Sequence, residues 1–333
     1  MTLLWTLPVG TEGRGAGSLG ARDVRAQFFT PFDYLEQVAR AVEAGGFDGA
    51  LVPFDAEGDD PWIAATAVAR ATRRLAVIVE FATTFGTPVY AAKMAATFQR
   101  FSHGRLSLKP VLGDQPVPRA TVVTPGEDPF DRVHEYLEIG RGLWEGTNYS
   151  YDGKIFEVAG SGLIPPLRTY PAPHVYLSGN DPRIQDLSIH LGDVHLWELT
   201  EPASLPALVA DLARRAEAAL RPVRSGLRLA VLARPSEEEA WSELRRRAAG
   251  AGIDDPGTLV PAAGVWTGFE RLGYGTPGGL VGSYRQIASA LDRFRDEGIS
   301  SFVLEGRPHL EEAYRFAEFV RPSLDLELTA LPA

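Results

Sequence analysis

The turn Gly306-Arg307-Pro308-His309 sets a guanidinium and an imidazole side by side, between the apolar run ISSFVL (299–304) and a helical pattern that starts at His309. Arginine offers five N–H donors in a planar fork matched to a carboxylate, sulfonate or phosphate, and it keeps its proton in proteins. Arg307 therefore suits anion binding and not proton transfer. The plainer alternative is an Arg that caps a helix or pairs with Glu311. A second guanidinium, Arg228, stands inside the apolar run GLRLAVLA (226–233). YLSGND (176–181) ends a strand and leads into a helix, so Ser178, Gly179 and Asn180 would present backbone N–H groups to a phosphate at a helix N-terminus. An ordinary N-cap by Asn180 or Asp181 gives the same pattern. His309, at a helix start, either donates to such an anion or caps. Of the other histidines, His103 and His174 lie at turns and His134 and His190 on helices, where a structural or solvated role is expected; His195, in a strand, is ambiguous. No His/Asp/Glu grouping has metal-ligand spacing. Cysteine is absent, which excludes thiolate catalysis, disulfides and Cys-ligated metals.

Composition narrows the classes further. The 333 residues are 45% hydrophobic with a net charge of -10. The one basic triplet, Arg245-Arg246-Arg247, follows Glu237-Glu238-Glu239 on one helical pattern, an acidic start and basic end that suit the helix dipole. A nucleic-acid stripe is not expected. MTLLWTLPVG has no basic leader, and no run of about 18 apolar residues occurs, so a cytoplasmic protein that does not span a membrane is expected.

Hydrophobic period places these residues. Strands are expected at 2–8, 48–54, 74–81, 105–113, 173–179, 193–199, 226–233 and 299–306. Helices are expected at 31–47, 61–71, 87–104, 129–146, 182–191, 205–220, 236–250, 283–298 and 309–322. Near-strict alternation of eight strands with helices predicts an α/β fold, a (β/α)8 TIM barrel over residues 1–333 as one domain. Insertions are expected at about 112–128, 147–172 and 250–298. The second carries a β-hairpin after helix 4, with an Asp-Gly turn in NYSYDGKIFEV (148–158). The third carries a long Gly- and Pro-rich mobile loop (250–282) and an extra helix before strand 8. A doubly wound open sheet is the alternative, weakened by the lack of GxGxxG after the first strand. A barrel's active site lies where strands end. That singles out Thr6, Asp55, Gly58, Thr83, Thr84, Lys109, Ser178, Glu198, Arg228, Arg307 and His309, with Trp5, Phe54, Trp62 and Trp197 shaping a pocket or serving as core.

Several stretches together resemble alkanesulfonate monooxygenases of the bacterial-luciferase-like flavin monooxygenase family. They are LVGSYRQIASALDRFRDEGISSFVLEGRPHLEEAYRFAEFVRP (280–322), DGKIFEVAG with PPLRTYPAPHVYLSGNDP (152–182), DRVHEYLEIGRGLWEG, TPVYAAKMAATFQRFSHGRL and LLWTLP. The resemblance implies a dimeric or tetrameric barrel that takes reduced FMN from a separate NAD(P)H:FMN reductase and oxidises a small-molecule substrate with O2. Arg228, Arg307 and His309 would act on the reacting groups. Ser178, Gly179, Asn180, Thr83 and Lys109 would hold the cofactor. Departures accompany it. A catalytic His is Ala230, a Tyr before Pro-His is Arg307, a Cys is Gly58, and an Asn is Lys109. An Arg aligns with Ala82, a Trp falls on Leu199 or shifts to Trp197, and a loop Arg falls near Gly273 or Arg271. A fixed charge at 307 would bind an anionic group or steady an oxygen-derived anion. The expected activity is thus monooxygenation of a small, anionic substrate that need not be an alkanesulfonate. The alternatives are a degenerate partner or ligand-binding subunit, and F420-dependent or flavin-independent chemistry on the same barrel.

Overall fold

The computed structural model describes residues 1–9, 31–111, 126–167 and 169–324. Most of the expected insertion at about 112–128 lies outside them. Chain order runs β1 (Thr2–Thr6), α1 (Pro31–Ala44), β2 (Gly49–Val52), α2 (Pro61–Ala71), β3 (Ala76–Ala82), α3 (Pro88–Ser102), β4 (Leu106–Val111) and α4 (Pro129–Glu145). A hairpin of β5 (Tyr149–Asp152) and β6 (Glu157–Ser161) follows, then β7 (His174–Ser178), α5 (Pro182–Leu191), β8 (Val194–Glu198), α6 (Leu205–Ala218), β9 (Arg224–Arg234) and α7 (Glu237–Gly250). Two further strands, β10 (Val265–Trp266) and β11 (Gly279–Ser283), precede α8 (Tyr284–Asp296), β12 (Ile299–Glu305) and α9 (His309–Arg315), which continues into a π turn, Phe316–Val320.

Eight parallel strands close on themselves in the order β1-β2-β3-β4-β7-β8-β9-β12 and back to β1, the (β/α)8 barrel that the alternation predicts. Period-2 alternation divides each strand between two faces. Leu4, Leu51, Ile78, Tyr176, Val194, Leu196 and Val303 form one apolar cluster that fills the barrel. Their neighbours Leu3, Trp5, Val77, Val79, Leu227, Phe302 and Leu304 pack outward in the main core with α1, α2, α3 and α8. Each such side chain, fully buried, stabilises by about 1.5–3 kcal/mol.

Four helices open with a cap followed by proline: Asp60-Pro61, Thr87-Pro88, Asp128-Pro129 and Asp181-Pro182. In each, the cap side chain accepts a backbone N–H of the first turn. Such a cap stabilises by about 1 kcal/mol, and proline costs nothing at a position whose N–H has no helical partner. Ser236 and Ser283 cap α7 and α8 in the same way.

Two local expectations change. The hairpin forms with Asp152-Gly153 at its turn, and the connection is widened to the four residues 153–156. Glu135 of α4 is the reason: its carboxylate accepts the backbone N–H groups of Lys154 (2.7 Å), Ile155 (3.1 Å) and Phe156 (2.9 Å), which holds the wider loop. The Gly- and Pro-rich stretch 250–282 carries regular structure. It contains short 3-10 turns at Pro256–Leu259 and Phe269–Leu272, and β10 antiparallel to β11. β11 in turn pairs with the second half of β9, from Gly279↔Ala230 to Ser283↔Arg234. Elements of two to five residues are too short to show a hydrophobic period. Trp266 and Phe269, both fully buried, anchor the segment.

The barrel mouth as candidate active site

One step beyond the apolar layer, toward the C-terminal ends of the strands, the inward positions turn polar: Thr6, Glu80, Lys109, Ser178, Glu198, Arg228 and Glu305. Lys109 is paired in register with Glu80 across β3 and β4, and its ammonium donates to Oε1 of that carboxylate. Oε2 of Glu80 accepts the Phe54 backbone N–H at 3.0 Å, and Arg228 Nη1 lies 3.8 Å from Oε1. Burial pushes the Glu80 carboxyl up, but the charges of Lys109 and Arg228 and these hydrogen bonds outweigh it, and the group is held below the usual carboxylate range. Across the mouth, Glu305 Oε1 accepts from Arg307 Nε (3.0 Å) and Nη2 (2.9 Å), while Oε2 accepts from the Gly275 backbone N–H at 3.0 Å. The Arg307 guanidinium sits 4.8 Å over the ring of Tyr274, a cation–π contact. Burial raises the Tyr274 phenol to about 12, so it stays protonated at neutral pH.

These groups enclose a cavity of about 380 Å3, lined by Thr6, Phe54, Glu80, Arg228, Tyr274, Glu305 and Arg307, with Asp55 and Glu57 at its rim. The volume falls within the usual range for small-molecule sites. Glu80 is hydrogen-bonded to Lys109 and Glu305 to Arg307, while Arg228 reaches Glu80 at the longer 3.8 Å and stands in register beside Glu198 of β8. Arg228 is 6% exposed, and neither its Nε nor the Thr6 hydroxyl has a hydrogen-bond partner among the described residues. The segment Gly273-Tyr274-Gly275 crosses the mouth with bare α-carbons against both arginines. A Cβ on Gly275 would lie 2.4 Å from Arg228 Nη2, and one on Gly273 3.3 Å from Arg307 Nη1.

The structure thus brings Arg228, Arg307 and Phe54 onto one cavity, with Lys109 behind Glu80. It places the other candidates elsewhere. Trp5 packs outward against Phe47 (5.3 Å) and Phe316 (6.2 Å), because it neighbours the inward Leu4 and Thr6 on β1. Trp197 likewise points outward, edge-on to His195, and its indole N–H donates to Ser225 Oγ at 3.2 Å. Trp62 lies on α2 against Phe81. His309 is buried, and its Nδ1 donates to the Thr6 carbonyl at 3.0 Å, tying α9 to the end of β1. Arg307 pairs with Glu305, not Glu311. At the β7 loop, the Gly179 N–H donates to Leu196 O. The Asn180 amide bridges to Glu198 and Thr200, and the Asp181 carboxylate caps α5, so an acid occupies the position expected for a phosphate. Thr83 is buried, and its carbonyl accepts from Arg132 Nη1 at 3.3 Å.

Position 230 is roofed by the segment after α7. Ala230 is fully buried in one apolar cluster with Trp266, Phe269 and Tyr274, and a Cβ on Gly279 would lie 2.3 Å from its carbonyl oxygen. Glu80, Glu305 and Tyr274 are the mouth residues that sequence reasoning missed. The two acids did carry a signal: each is the lone charge in a buried strand, AVIVEFA and ISSFVLE.

A closed parallel barrel with a charged cavity at the C-terminal ends of its strands has the architecture of a barrel enzyme. The chain belongs to the luciferase-like monooxygenase family, whose model matches residues 1–325, and so to a family of oxidoreductases. Similar solved structures include EDTA monooxygenase (EmoA) from Chelativorans sp. BNC1, with TM-score 0.78 and 20% identity over 97% of this chain and 92% of that one. Riboflavin lyase (RcaE), solved with modified FMN and riboflavin, has TM-score 0.76 and 17% identity over 97% and 90%. An F420-dependent secondary alcohol dehydrogenase, solved with an F420-acetone adduct, has TM-score 0.70 and 18% identity over 97% and 99%. At these identities the likeness shows the shared fold.

Proposed function

We propose that this chain is the oxygenase of a two-component, FMN-dependent system, supplied with reduced FMN by a separate NAD(P)H:FMN reductase and oxidising a small organic anion with O2 in the cytoplasm. The carrying observation is Arg228: a guanidinium more than nine-tenths buried, facing the cavity, with its nearest carboxylate already bonded to Lys109. A buried charge without a bonded counter-ion is costly, and an anionic group in the cavity offsets that cost. Bound reduced flavin supplies the electrons that activate oxygen. The residues that fit it, or the substrate beside it, are Arg228 and Thr6, whose Nε and hydroxyl have no hydrogen-bond partner among the described residues, with Phe54 and Tyr274 as flat apolar walls. Arg307 adds fixed positive charge without moving a proton. Ser178, Gly179, Asn180 and Thr83 remain candidates for the phosphate end, subject to the Asp181 cap. No described residue takes the proton-carrying role at position 230.

We also infer a homodimer, built on α2 and α3. These helices border a groove of about 640 Å3 in which Ile63 (73% exposed), Tyr90 and Phe101 (83% exposed) present apolar surface. Glu57, Asp59 and Asp60 precede α2, and Arg70, Arg73 and Arg74 end it. Two copies of α2 packed antiparallel across a two-fold axis would set each acidic end on the other's basic end.

The deciding experiment is anaerobic titration of reduced FMN and, in parallel, reduced F420. Saturable binding of reduced FMN on the order of tens of micromolar or tighter, with substrate-dependent oxygen uptake, is expected. Binding of F420 alone would replace this reading with deazaflavin chemistry, and binding of neither would leave a ligand-binding or partner subunit.

A further inference from the structure

A chain of alternating charges runs behind the mouth. Glu312 of α9 accepts from Arg234 Nη1 and Nη2, both at 3.0 Å. Arg234, at the end of β9, also donates to both oxygens of Glu243 on α7. Glu243 in turn accepts from Arg247 Nη2, one helical turn further along α7. The other end of Arg247 leaves the helix and reaches the mouth, where its Nη1 donates to Tyr274 Oη at 3.0 Å and to the Arg307 carbonyl at 2.9 Å. The four charged side chains are all largely buried.

Arg247 does not line the cavity. Its two acceptors nevertheless belong to two different loops over the mouth, the segment after α7 and the turn after β12. They are also two of the features that, beside its bonds to Glu305, fix the Arg307 guanidinium: the backbone it hangs from, and the aromatic ring it stacks on. We infer that Arg247 is a positioning residue, which sets the Arg307 guanidinium in the mouth from outside the barrel wall. Glu243, shared with Arg234, keeps the Arg247 fork pointed at both acceptors. The basic triplet Arg245-Arg246-Arg247 is therefore not uniform: Arg245 and Arg246 are exposed, and the third member turns inward.

This inference rests on the proposed flavin site only for its functional readout, so the test has two arms. In the first, hydrogen exchange of the amides of 273–279 is compared between the wild type, Arg247→Met and the control Glu312→Gln, which disturbs the far end of the chain. Faster exchange confined to Arg247→Met is expected. In the second, the Kd for reduced FMN is measured in Arg247→Met, Arg307→Met and the double variant. Arg247→Met should weaken binding about fivefold in the wild-type background and less than about twofold when Arg307 is absent, because residues acting through one another are not additive. Arg247→Lys, which keeps the charge but not the fork, should fall between, and it replaces Arg247→Met should that variant fail to fold. Equal, additive losses in both backgrounds, or exchange unchanged at 273–279, overturn the assignment. Absence of FMN binding in the wild type would sink the proposed function and leave the exchange arm to decide.

Discussion

Lys109 and Glu80 face each other in register across β3 and β4, and the carboxylate that receives the ammonium also holds the Phe54 backbone. One ion pair thus ties together three strand ends at the floor of the mouth. It also determines the character of Arg228. Glu80 has one oxygen committed to Lys109 and the other to an amide, so the arginine 3.8 Å away keeps donors that face the cavity. The floor is a structural pair, and the guanidinium beside it is the group with capacity to bind.

Glu80→Gln should therefore cost about 3–5 kcal/mol in a urea melt, since it leaves the buried Lys109 charge uncompensated. Glu80→Met with Lys109→Met should cost much less. The pH dependence follows in sign. The folded carboxyl titrates below its ordinary 4.5, so its stabilising contribution is complete above that value and is lost as pH falls from 4.5 through the depressed folded pKa. The wild type should lose stability over that acid window, and the double Met variant should lose less.

Arg228→Met should leave the fold intact, because Glu80 keeps Lys109 as its partner. Removing hydrogen bonds to a charged group is worth about 1.5–3 kcal/mol, or roughly tenfold or more in Kd. Calorimetry with reduced FMN, and with the anionic substrate once identified, should show that loss with an unchanged melting temperature. A melting temperature that falls with affinity unchanged would assign Arg228 to the structure instead.

How much of this was legible beforehand follows from particular residues. The barrel was, because each strand is a short apolar run and each helix carries a 3.6-residue stripe with its own stop signals, down to the Asp-Pro and Thr-Pro starts. Arg228 and Arg307 were legible as cations at strand ends. Their partners were not: a lone glutamate in AVIVEFA does not announce which lysine lies across the sheet, since register is a tertiary property. The aromatic assignments turned on strand phase. Trp5 and Trp197 sit one residue away from inward positions, and that single step moves an indole from the cavity to the outer core. The segment after α7 was illegible because its buried strand, GLVGS, owes its place to glycines that let backbones touch, a signal that hydrophobic period does not carry.

Self-association should depend on the α2–α3 face. Ile63→Asp or Phe101→Asp puts a charge into the apolar surface of the groove. Each should shift the protein from dimer to monomer in light scattering coupled to size exclusion, with little effect on secondary structure. High salt should weaken the dimer, since the acidic and basic ends of α2 face solvent at its rim. A wild-type chain that is monomeric at tens of micromolar, or variants that stay dimeric, would move the interface elsewhere.

Glycines separate site geometry from stability most directly. A Cβ at Gly275 would lie 2.4 Å from Arg228 Nη2 and 3.4 Å from Glu305 Oε2, both side-chain ends able to shift. Gly275→Ala should therefore fold with nearly the wild-type melting temperature while displacing the guanidinium and weakening reduced-FMN binding several-fold. At Gly278 a Cβ would fall 1.7 Å from the Leu199 carbonyl oxygen, which is backbone, so Gly278→Ala should displace the whole segment and lower stability as well. Gly250, in the last turn of α7, has nothing within 4 Å of the added atom. Gly250→Ala should raise stability by up to about 1 kcal/mol through helix propensity and leave binding unchanged. Thermal melts and flavin titrations on the three variants read both properties. If Gly275→Ala binds like the wild type, the close contact between the segment and Arg228 has no role in the site.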